Sequence, residues 1–236
     1  LEYMRDLAKQ HPPASKIRVI GVDEISIRKG HTYRVVVADM DEQRPIWIGG
    51  TGRTKEDLDQ FFAEIGAERS RGIELAVMDM WKAFRNSTNE NAPQSRIIFD
   101  KFHILRHLSD ALDEIRRQEY KRVNEKERKY IKGQRYTLLS HKANLDTEGR
   151  RSLKLLLKAN RPLNKAYLLK EAFGQLWDYR YPVSARKFFD NWKAQLRWQK
   201  LKPFEKFAAM IEKHWDGIVS YCHPDNKVSL GFMEGL

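Results

Sequence analysis

The sequence predicts an α/β fold in which a mixed β-sheet is followed by a large all-α region. Two observations lead to this prediction. Within the first hundred residues, short runs rich in β-branched residues alternate with turn signals, and one helix signal separates three such runs from two more. Beyond residue 100, the apolar residues recur at helical spacing. The 236 residues, 41% of them hydrophobic, are enough for one or two domains with a packed core.

The first three strands are predicted at residues 17–28, 33–40 and 45–48. Each run has the β-branched density of a strand, and polar turns at 29–30 and 41–44 join them. Because such short connections join antiparallel strands, the three runs predict an antiparallel meander.

The rest of the sheet is predicted from a capped helix and two apolar runs. Thr54, followed three residues later by Asp57, has the spacing of a capping box that starts a helix. The continuous apolar run at 73–78 predicts a buried strand parallel to the first, and 97–99 repeats the pattern. Three antiparallel strands, a helix and two parallel strands form the element order of a ribonuclease-H-like sheet. Further helices are predicted from Lys101 onward and at 147–158, 161–177, 184–200 and 203–215.

The positive charge is concentrated in the predicted helical part. The chain has a formal net charge of +12, but residues 1–100 carry 15 basic and 16 acidic side chains, so the whole excess follows residue 100. Such a surface favours a polyanion, nucleic acid above all, as the partner. No apolar run approaches the roughly 18 residues of a membrane helix, and the single cysteine, Cys222, excludes an internal disulfide. The start at Leu1, without an initiator methionine, indicates a piece of a longer protein.

Two aspartates are candidates for a metal site at one edge of the predicted sheet. Asp23 lies inside the first strand, where a charge is costly unless it is compensated, and Asp79 directly follows the fourth strand. If those strands are adjacent and parallel, both carboxylates lie at the same end of the sheet. Oxygen ligands of this kind favour Mg²⁺ or Mn²⁺. Glu234 in the final segment is a candidate third ligand, completing a site for two ions that supports phosphoryl displacement.

Each of these residues also has a structural explanation. Asp23 could face solvent at a strand edge, and Asp79 could serve as a turn residue or helix cap. Glu234, close to the chain end, is uninformative alone. Asp100 and His103, after the fifth strand, are accessory candidates. His103 and His107 are four residues apart and could face a metal, but capping or a DNA contact is favoured over metal binding for this motif. Only the constellation of three acids favours catalysis.

Basic residues of the helical part are candidate DNA contacts. Phosphates bind to basic faces, and unpaired bases stack on aromatic rings. For the basic residues at 116–129, a helix face exposed to solvent is an equally good explanation, because acidic residues interrupt the run. Trp177, Phe188, Trp192 and Trp215 are assigned mostly to the helical core. The candidate contacts are Arg116, Arg117, Lys121, Arg122, Arg128, Lys129, Arg197, Trp198 and Lys200.

Four ordered segments resemble the bacterial insertion-sequence transposases of the ISL-three group. They are GVDEIS at 21–26, VMDMW at 77–81, FDKFH at 99–103 and GFMEGL at 231–236. Together they span about the whole chain. The resemblance is specific because the blocks occur in the family's order and at compatible spacing.

The resemblance implies a DDE transposase core in which Asp23, Asp79 and Glu234 match the catalytic triad and hold two Mg²⁺ or Mn²⁺ ions. It implies hydrolysis of double-stranded DNA at transposon ends and transfer of the 3′-hydroxyl to target DNA, by a synapsed homodimer in the bacterial cytoplasm at the nucleoid, without a membrane partner. The alternatives are a nuclease or resolvase on the same sheet and a catalytically silent DNA-binding derivative. The implied divisions are a linker at 1–16 from a DNA-binding region, a catalytic core at 17–109, an α-helical insertion domain at 110–225 and the start of the Glu segment at 226–236.

Overall fold

Five strands form one mixed sheet. A computed structural model describes residues 16–28 and 32–228 of the chain. The strands are β1 (Val19–Arg28), β2 (Thr32–Asp39), β3 (Arg44–Gly49), β4 (Leu75–Met78) and β5 (Arg96–Phe99). Their order in the sheet is β3-β2-β1-β4-β5. β1, β2 and β3 pair antiparallel, whereas β4 lies parallel to β1 and β5 parallel to β4. The predicted ribonuclease-H-like sheet is confirmed.

Helices connect the later strands and make up the part of the chain that follows the sheet. They are α1 (Lys55–Gly72), α2 (Lys82–Asn91), α3 (Lys101–Arg122), α4 (Glu125–Gly133), α5 (Arg135–Leu139), α6 (Thr147–Ala159), α7 (Arg161–Phe173), α8 (Pro182–Ala194), α9 (Lys202–Lys213) and α10 (Trp215–Ser220). The helix predicted at 184–200 ends earlier, and a turn follows it at 195–199. In this turn region Lys200 has a φ of 55°, which a helix cannot accommodate.

The chain divides into two compact units. The first combines the chain up to His103 with the segment from Asp216 onward, and the second runs from Ile104 to Trp215. The sheet therefore belongs to the first unit, together with a segment that returns to it from the far end of the sequence. No helix among residues 16–28 and 32–228 is long and apolar enough to cross a membrane.

One face of the sheet carries a buried cluster against which the returning segment packs. The cluster consists of Val19, Ala38, Met40, Leu75, Val77 and Ile98, and Tyr221 and Val228 contact it. Because side chains alternate between the two faces of a strand, Asp23 projects to the same face as Val19. The last described residues before the Glu234 segment thus lie on the face that carries Asp23.

The second unit is built around Trp192. Its ring centroid lies 4.9 Å from that of Phe173 and 6.0 Å from that of Phe207. Its indole Nε1 donates a hydrogen bond of 2.9 Å to the carbonyl oxygen of Leu169, so the polar atom of the ring is satisfied in the core. Trp177 is also buried. The core positions expected from helical spacing are therefore occupied by these two tryptophans.

Candidate active site

Three carboxylates lie side by side at the end of the sheet where β4 and β5 stop, next to β1. This group, Asp23, Asp79 and Asp100, is called the carboxylate edge. Val22 of β1 pairs with Met78 of β4, and Met78 pairs with Phe99 of β5. The next residue on each strand path is an aspartate: Asp23, Asp79 and Asp100. The Asp100 N–H donates to the Met78 carbonyl oxygen at 2.8 Å, which continues the ladder to this point. The register brings the two predicted aspartates to one end of the sheet, and it adds Asp100 to them.

Asp23 is a carboxyl group in a largely buried position. Its Oδ1 accepts a hydrogen bond of 2.8 Å from the Glu24 N–H. Burial raises the pKa of Asp23 to about 6; the Glu24 hydrogen bond and the charge of His103 oppose this effect, and the charges of Glu24 and Asp100 add to it. An elevated pKa means that the negative charge of Asp23 is incompletely compensated by the protein itself.

Asp100 interacts electrostatically with Asp23, Asp79 and His103. It is 5% exposed, and its Oδ1 accepts a hydrogen bond of 2.9 Å from the Phe102 N–H at the start of α3. Burial raises the pKa of Asp100, and the charge of Asp79 raises it further, whereas Phe102 and His103 lower it. His103 Nδ1 lies 3.7 Å from Asp100 Oδ2. Asp100 thus makes the predicted capping contact at the start of α3, and it also lies beside the candidate catalytic carboxylates.

Cationic and aromatic side chains border the edge next to Asp79. Arg53 Nη1 lies 2.6 Å from Glu24 Oε1. The hydrogen bond to Glu24 raises the pKa of the Arg53 guanidinium; burial opposes this, and the charges of Glu24, Tyr33 and Asp79 add to it. Arg53 is therefore a cation whose charge interacts with that of Asp79. Neither the charge nor the strand pattern of the sequence had singled it out.

The carboxylates at this end of the sheet are of the ligand type that a hard divalent cation takes. Burial is the main cause of the raised pKa values of Asp23 and Asp100, and the His103 Nδ1 atom is buried without a hydrogen-bond partner among the described residues. Carboxylate oxygens are the ligands that Mg²⁺ and Mn²⁺ prefer. Among residues 16–28 and 32–228, no group of three or more His, Cys, Asp or Glu side chains is arranged to hold a metal ion. The predicted third ligand, Glu234, lies outside the described residues.

Asp23→Asn is expected to stabilise the metal-free protein at neutral pH. The folded-state pKa of about 6 exceeds the ordinary value of 3.8, so the stability of the wild type falls as pH rises between these values. An asparagine has no charge to bury. We expect its free energy of unfolding at pH 7 to exceed that of the wild type by roughly 2–3 kcal/mol, and the gain to vanish near pH 4. Denaturant unfolding in the presence of EDTA measures both values.

Asp57→Asn is the matched control, with the opposite sign. Burial alone raises the pKa of Asp57, but hydrogen bonds from Thr51, Thr54 and Gly52 outweigh it and hold the pKa below its usual value. The stability that Asp57 contributes is therefore present above its unfolded-state pKa and is lost as the pH falls. A loss of stability at pH 7 in both variants would contradict the electrostatic description of Asp23.

The candidate DNA contacts of the second unit differ in how exposed they are. Arg116 is 8% exposed, and its Nε lies 2.7 Å from Asp113 Oδ1, so it is part of a buried ion pair. Arg117 is 61% exposed and lies 3.4 Å from the same carboxylate. Arg128 donates hydrogen bonds to the carbonyl oxygens of Val123 and Lys121 near the end of α3. Arg117, Lys121, Arg122, Arg128 and Lys129 are exposed, and within the described part of the chain the four other than Arg128 make no such backbone contact through two hydrogen bonds.

The second group of candidate contacts lies in the turn after α8. Trp198 is 79% exposed, the largest exposure of any described tryptophan. The Arg197 guanidinium lies 5.3 Å from its ring centroid. Arg197 and Lys200 are exposed as well. An exposed ring with a cation beside it is suited to contact a charged partner.

Comparison with known proteins places the chain in a family. A family model described as "Transposase", that of the ISL-three group, matches residues 20–236. The chain is 30% identical over 221 residues to the transposase for insertion sequence element IS1001 of Bordetella parapertussis, covering 92% of this chain and 54% of that protein. It is 26% identical over 232 residues to the transposase for insertion sequence element IS1557 of Mycobacterium tuberculosis, covering 89% of this chain and 52% of that protein.

The chain spans about half the length of the curated relatives that it matches. The family match, in contrast, extends over most of the chain and includes all four segments on which the resemblance rests. The sheet order agrees with that match. The chain therefore belongs to the ISL-three family of insertion-sequence transposases.

Proposed function

We propose that this chain is the catalytic part of a metal-dependent DNA transposase. In this proposal it hydrolyses DNA at transposon ends and transfers the freed 3′-hydroxyl to target DNA. The observation that carries the proposal is the register that sets Asp23, Asp79 and Asp100 side by side at one end of the sheet. Family membership supports DNA as the substrate.

Asp23 and Asp79 would hold two Mg²⁺ or Mn²⁺ ions together with Glu234. The chemistry that such ions supply is Lewis-acid activation of the attacking oxygen and charge neutralisation at the leaving oxygen. The protein contributes a position for Asp23 within β1 and one for Asp79 directly after β4, and positions set by such elements are more precise than positions in a long loop. Asp100 and His103 contribute the local electrostatic environment, because both act on the charge of Asp23.

The same chemistry gives a reason for a carboxylate in the costly position of Asp23. A partly compensated carboxylate destabilises the metal-free protein, and a bound cation removes that cost. Val228 packs on the Asp23 face, and the six residues from Val228 to Glu234 can span at most about 20 Å.

The proposal is tested with the full-length protein and duplex DNA that carries the terminal repeats flanking its gene. With Mg²⁺ or Mn²⁺, we expect strand cleavage at the repeats and covalent joining of the 3′ ends to a second duplex, and neither product in EDTA. Absence of cleavage and joining with both metals contradicts the proposal. Cleavage without any joined product favours a nuclease or resolvase, and DNA binding without metal-dependent chemistry favours a silent derivative.

DNA affinity should fall steeply with salt, because the basic surface of the second unit is proposed to bind phosphates. Each phosphate contact contributes about 0.9 to the slope of log affinity against log salt concentration. Replacing Arg117, Lys121, Arg122 and Lys129 by Gln should reduce the magnitude of that slope by about 2–4. Fluorescence anisotropy with a labelled duplex between low and moderate salt measures it.

A matched control removes four exposed lysines elsewhere in the same unit. Lys154, Lys158, Lys206 and Lys213 are exposed and were not candidates for DNA contact. Their replacement by Gln changes the net charge equally. An equal reduction of the slope in both quadruple variants would show a general charge effect and contradict the assignment of the surface.

The proposal includes two protomers that hold two transposon ends together. A cut at both ends requires two active edges, and each chain offers one. The expected species on paired end DNA is a complex with two copies of the protein, measured by mass photometry or sedimentation. A complex with one copy per pair of ends contradicts this part of the proposal.

A further inference from the structure

A partly exposed guanidinium, that of Arg53, lies beside the carboxylate edge and makes contacts that fix its position. Arg53 precedes helix α1, in the loop that follows β3. Its side chain is 37% exposed, although it contacts three different side chains. A flexible arginine at a protein surface usually loses much conformational entropy when it is held this way. The arrangement therefore calls for an explanation beyond a surface ion pair, which is worth about 0–1 kcal/mol.

The backbone on both sides of Arg53 is held by the carboxylate of Asp57. Asp57 accepts hydrogen bonds from the Thr51 N–H at 2.8 Å and from the Thr54 N–H at 2.9 Å. Gly50 has a φ of 70°, and a Cβ at this position would lie 2.8 Å from the Asp57 Cβ, so the loop requires glycine here. The segment that carries Arg53 is a rigid turn rather than a mobile loop.

The guanidinium of Arg53 is held by two aromatic rings and one carboxylate. Its Cζ atom lies 4.6 Å from the Tyr33 ring centroid and 5.0 Å from the Trp81 ring centroid. Its Nη1 lies 2.6 Å from Glu24 Oε1. A guanidinium has five N–H donors, and the ion pair with Glu24 occupies one of its nitrogen atoms.

Trp81 links this cation to the Asp79 segment. The Trp81 Nε1–H donates a hydrogen bond of 2.7 Å to the Arg53 carbonyl oxygen, so the ring contacts both ends of the residue. Trp81 follows Asp79 by two residues and is 42% exposed. The position of the guanidinium is therefore coupled to the segment that carries a candidate catalytic carboxylate, and its charge acts on Asp79.

The acidic residues near Arg53 indicate a role for its guanidinium. Asp23, Asp79, Asp100 and Glu24 present a concentration of negative charge, which repels the phosphates of a DNA backbone. Arginine binds a phosphate through two parallel N–H bonds, and a guanidinium that is already held in place loses little entropy on binding. A fixed, exposed arginine at the border of an acidic edge has the properties of a phosphate-binding residue.

We propose that Arg53 is a positioning residue that binds a DNA backbone phosphate next to the scissile position, with Tyr33, Trp81 and Glu24 holding its guanidinium for this contact. This inference rests on the proposed function, since it takes DNA as the substrate. It assigns to the sheet unit a phosphate contact of its own, in addition to the basic surface of the second unit.

The test measures DNA binding by the full-length protein in Ca²⁺, on end DNA pre-cut at the scissile position. Arg53→Gln should weaken binding about 5- to 10-fold and lower the magnitude of the salt slope by about 1. Arg53→Lys retains the charge but not the paired donors, so it should recover most of the slope and only part of the affinity. Arg71→Gln is the matched control, because Arg71 precedes β4 at the end of the sheet opposite Asp79 and is exposed.

A second measurement separates a DNA contact from a structural role. Neutral methylphosphonates are placed one at a time in the backbone around the scissile position. At one position the wild type should lose about the same affinity as Arg53→Gln loses on unmodified DNA, and Arg53→Gln should lose nothing further. Trp81→Leu, which removes the ring and its hydrogen bond, should weaken this coupling, while Trp81→Phe should keep part of it.

Failure of the inference differs from failure of the proposed function. If the wild type cuts and joins DNA but Arg53→Gln keeps its affinity and salt slope, and no methylphosphonate couples to Arg53, the inference is wrong while the function stands. If the wild type lacks metal-dependent chemistry yet the coupling is found, the function is wrong and Arg53 remains a phosphate contact. A loss of affinity in Arg53→Gln that is equal at every methylphosphonate position, with a lower melting temperature, also overturns the inference.

Discussion

Asp79→Asn in the full-length protein is expected to abolish both strand cleavage and strand transfer while end binding is kept. Asparagine retains the side-chain oxygen that accepts the Met80 N–H at 2.5 Å, so the local fold should persist. It lacks the charge needed to hold a divalent cation. We expect the rate to fall on the order of a thousandfold or more, and Asp23→Asn to behave in the same way. Single-turnover cleavage of end DNA measures the rate.

The matched control is Asp41→Asn. Asp41 is an exposed carboxylate of the same unit, and it pairs with Arg18 directly before the start of β1, whereas Asp23 lies in the middle of that strand. Its replacement should leave cleavage unchanged. Retention of strand transfer in Asp23→Asn or Asp79→Asn would contradict the assignment of these residues, and equal losses in all three variants would point to a nonspecific effect.

Trp192→Ala should produce the largest loss of stability among single substitutions in the second unit. The side chain is 1% exposed and contacts Phe173, Phe189, Phe204 and Phe207. Its removal leaves a large cavity. A substitution of this kind lowers the free energy of unfolding by about 3–5 kcal/mol. Denaturant unfolding followed by circular dichroism at a helical wavelength measures the change.

Trp198→Ala is the natural comparison, because the residue type is the same and the burial is opposite. With 79% exposure, Trp198 contributes little to the core, and its loss should change stability by less than about 0.5 kcal/mol. If it contacts DNA, its removal lowers DNA affinity instead. Equal destabilisation by the two substitutions would contradict the description of the core.

The sheet could be predicted because its local signals agree with its tertiary structure. The buried run at 73–78 has no polar residue other than Glu74, and the crossover rule leaves few places for a parallel strand after a helix. The capping box at Thr54 and Asp57 is present as predicted. The helix that it starts kinks at Gly66, with a φ of 80°, and continues to Gly72.

The helix Lys82–Asn91 was missed because its own sequence argues weakly for a helix. Its N-cap, Trp81, offers no side-chain acceptor, and residues such as Asn, Ser and Thr have low helix propensity. Phe84 is its one fully buried hydrophobic residue. Its formation depends on packing against α1, which a local pattern does not reveal.

Only part of the candidate site could be predicted from the sequence, for a related reason. Asp23 and Asp79 follow from strand positions, but the role of Arg53 depends on contacts between three separate segments, around Glu24, Tyr33 and Trp81. No spacing in the sequence predicts that these three segments come into contact with Arg53. Arg116 shows the reverse case, since its place in a basic run suggested exposure, whereas the fold buries it against Asp113.

Binding of the catalytic metal ions by Asp23 and Asp79 can be tested with a crystal structure of the full-length protein with Mn²⁺. Anomalous scattering locates the ions without ambiguity. We expect manganese bound by Asp23 and Asp79, with the Glu234 carboxylate as a further ligand. Manganese bound only elsewhere, with Asp23 and Asp79 in no contact with an ion, would contradict it.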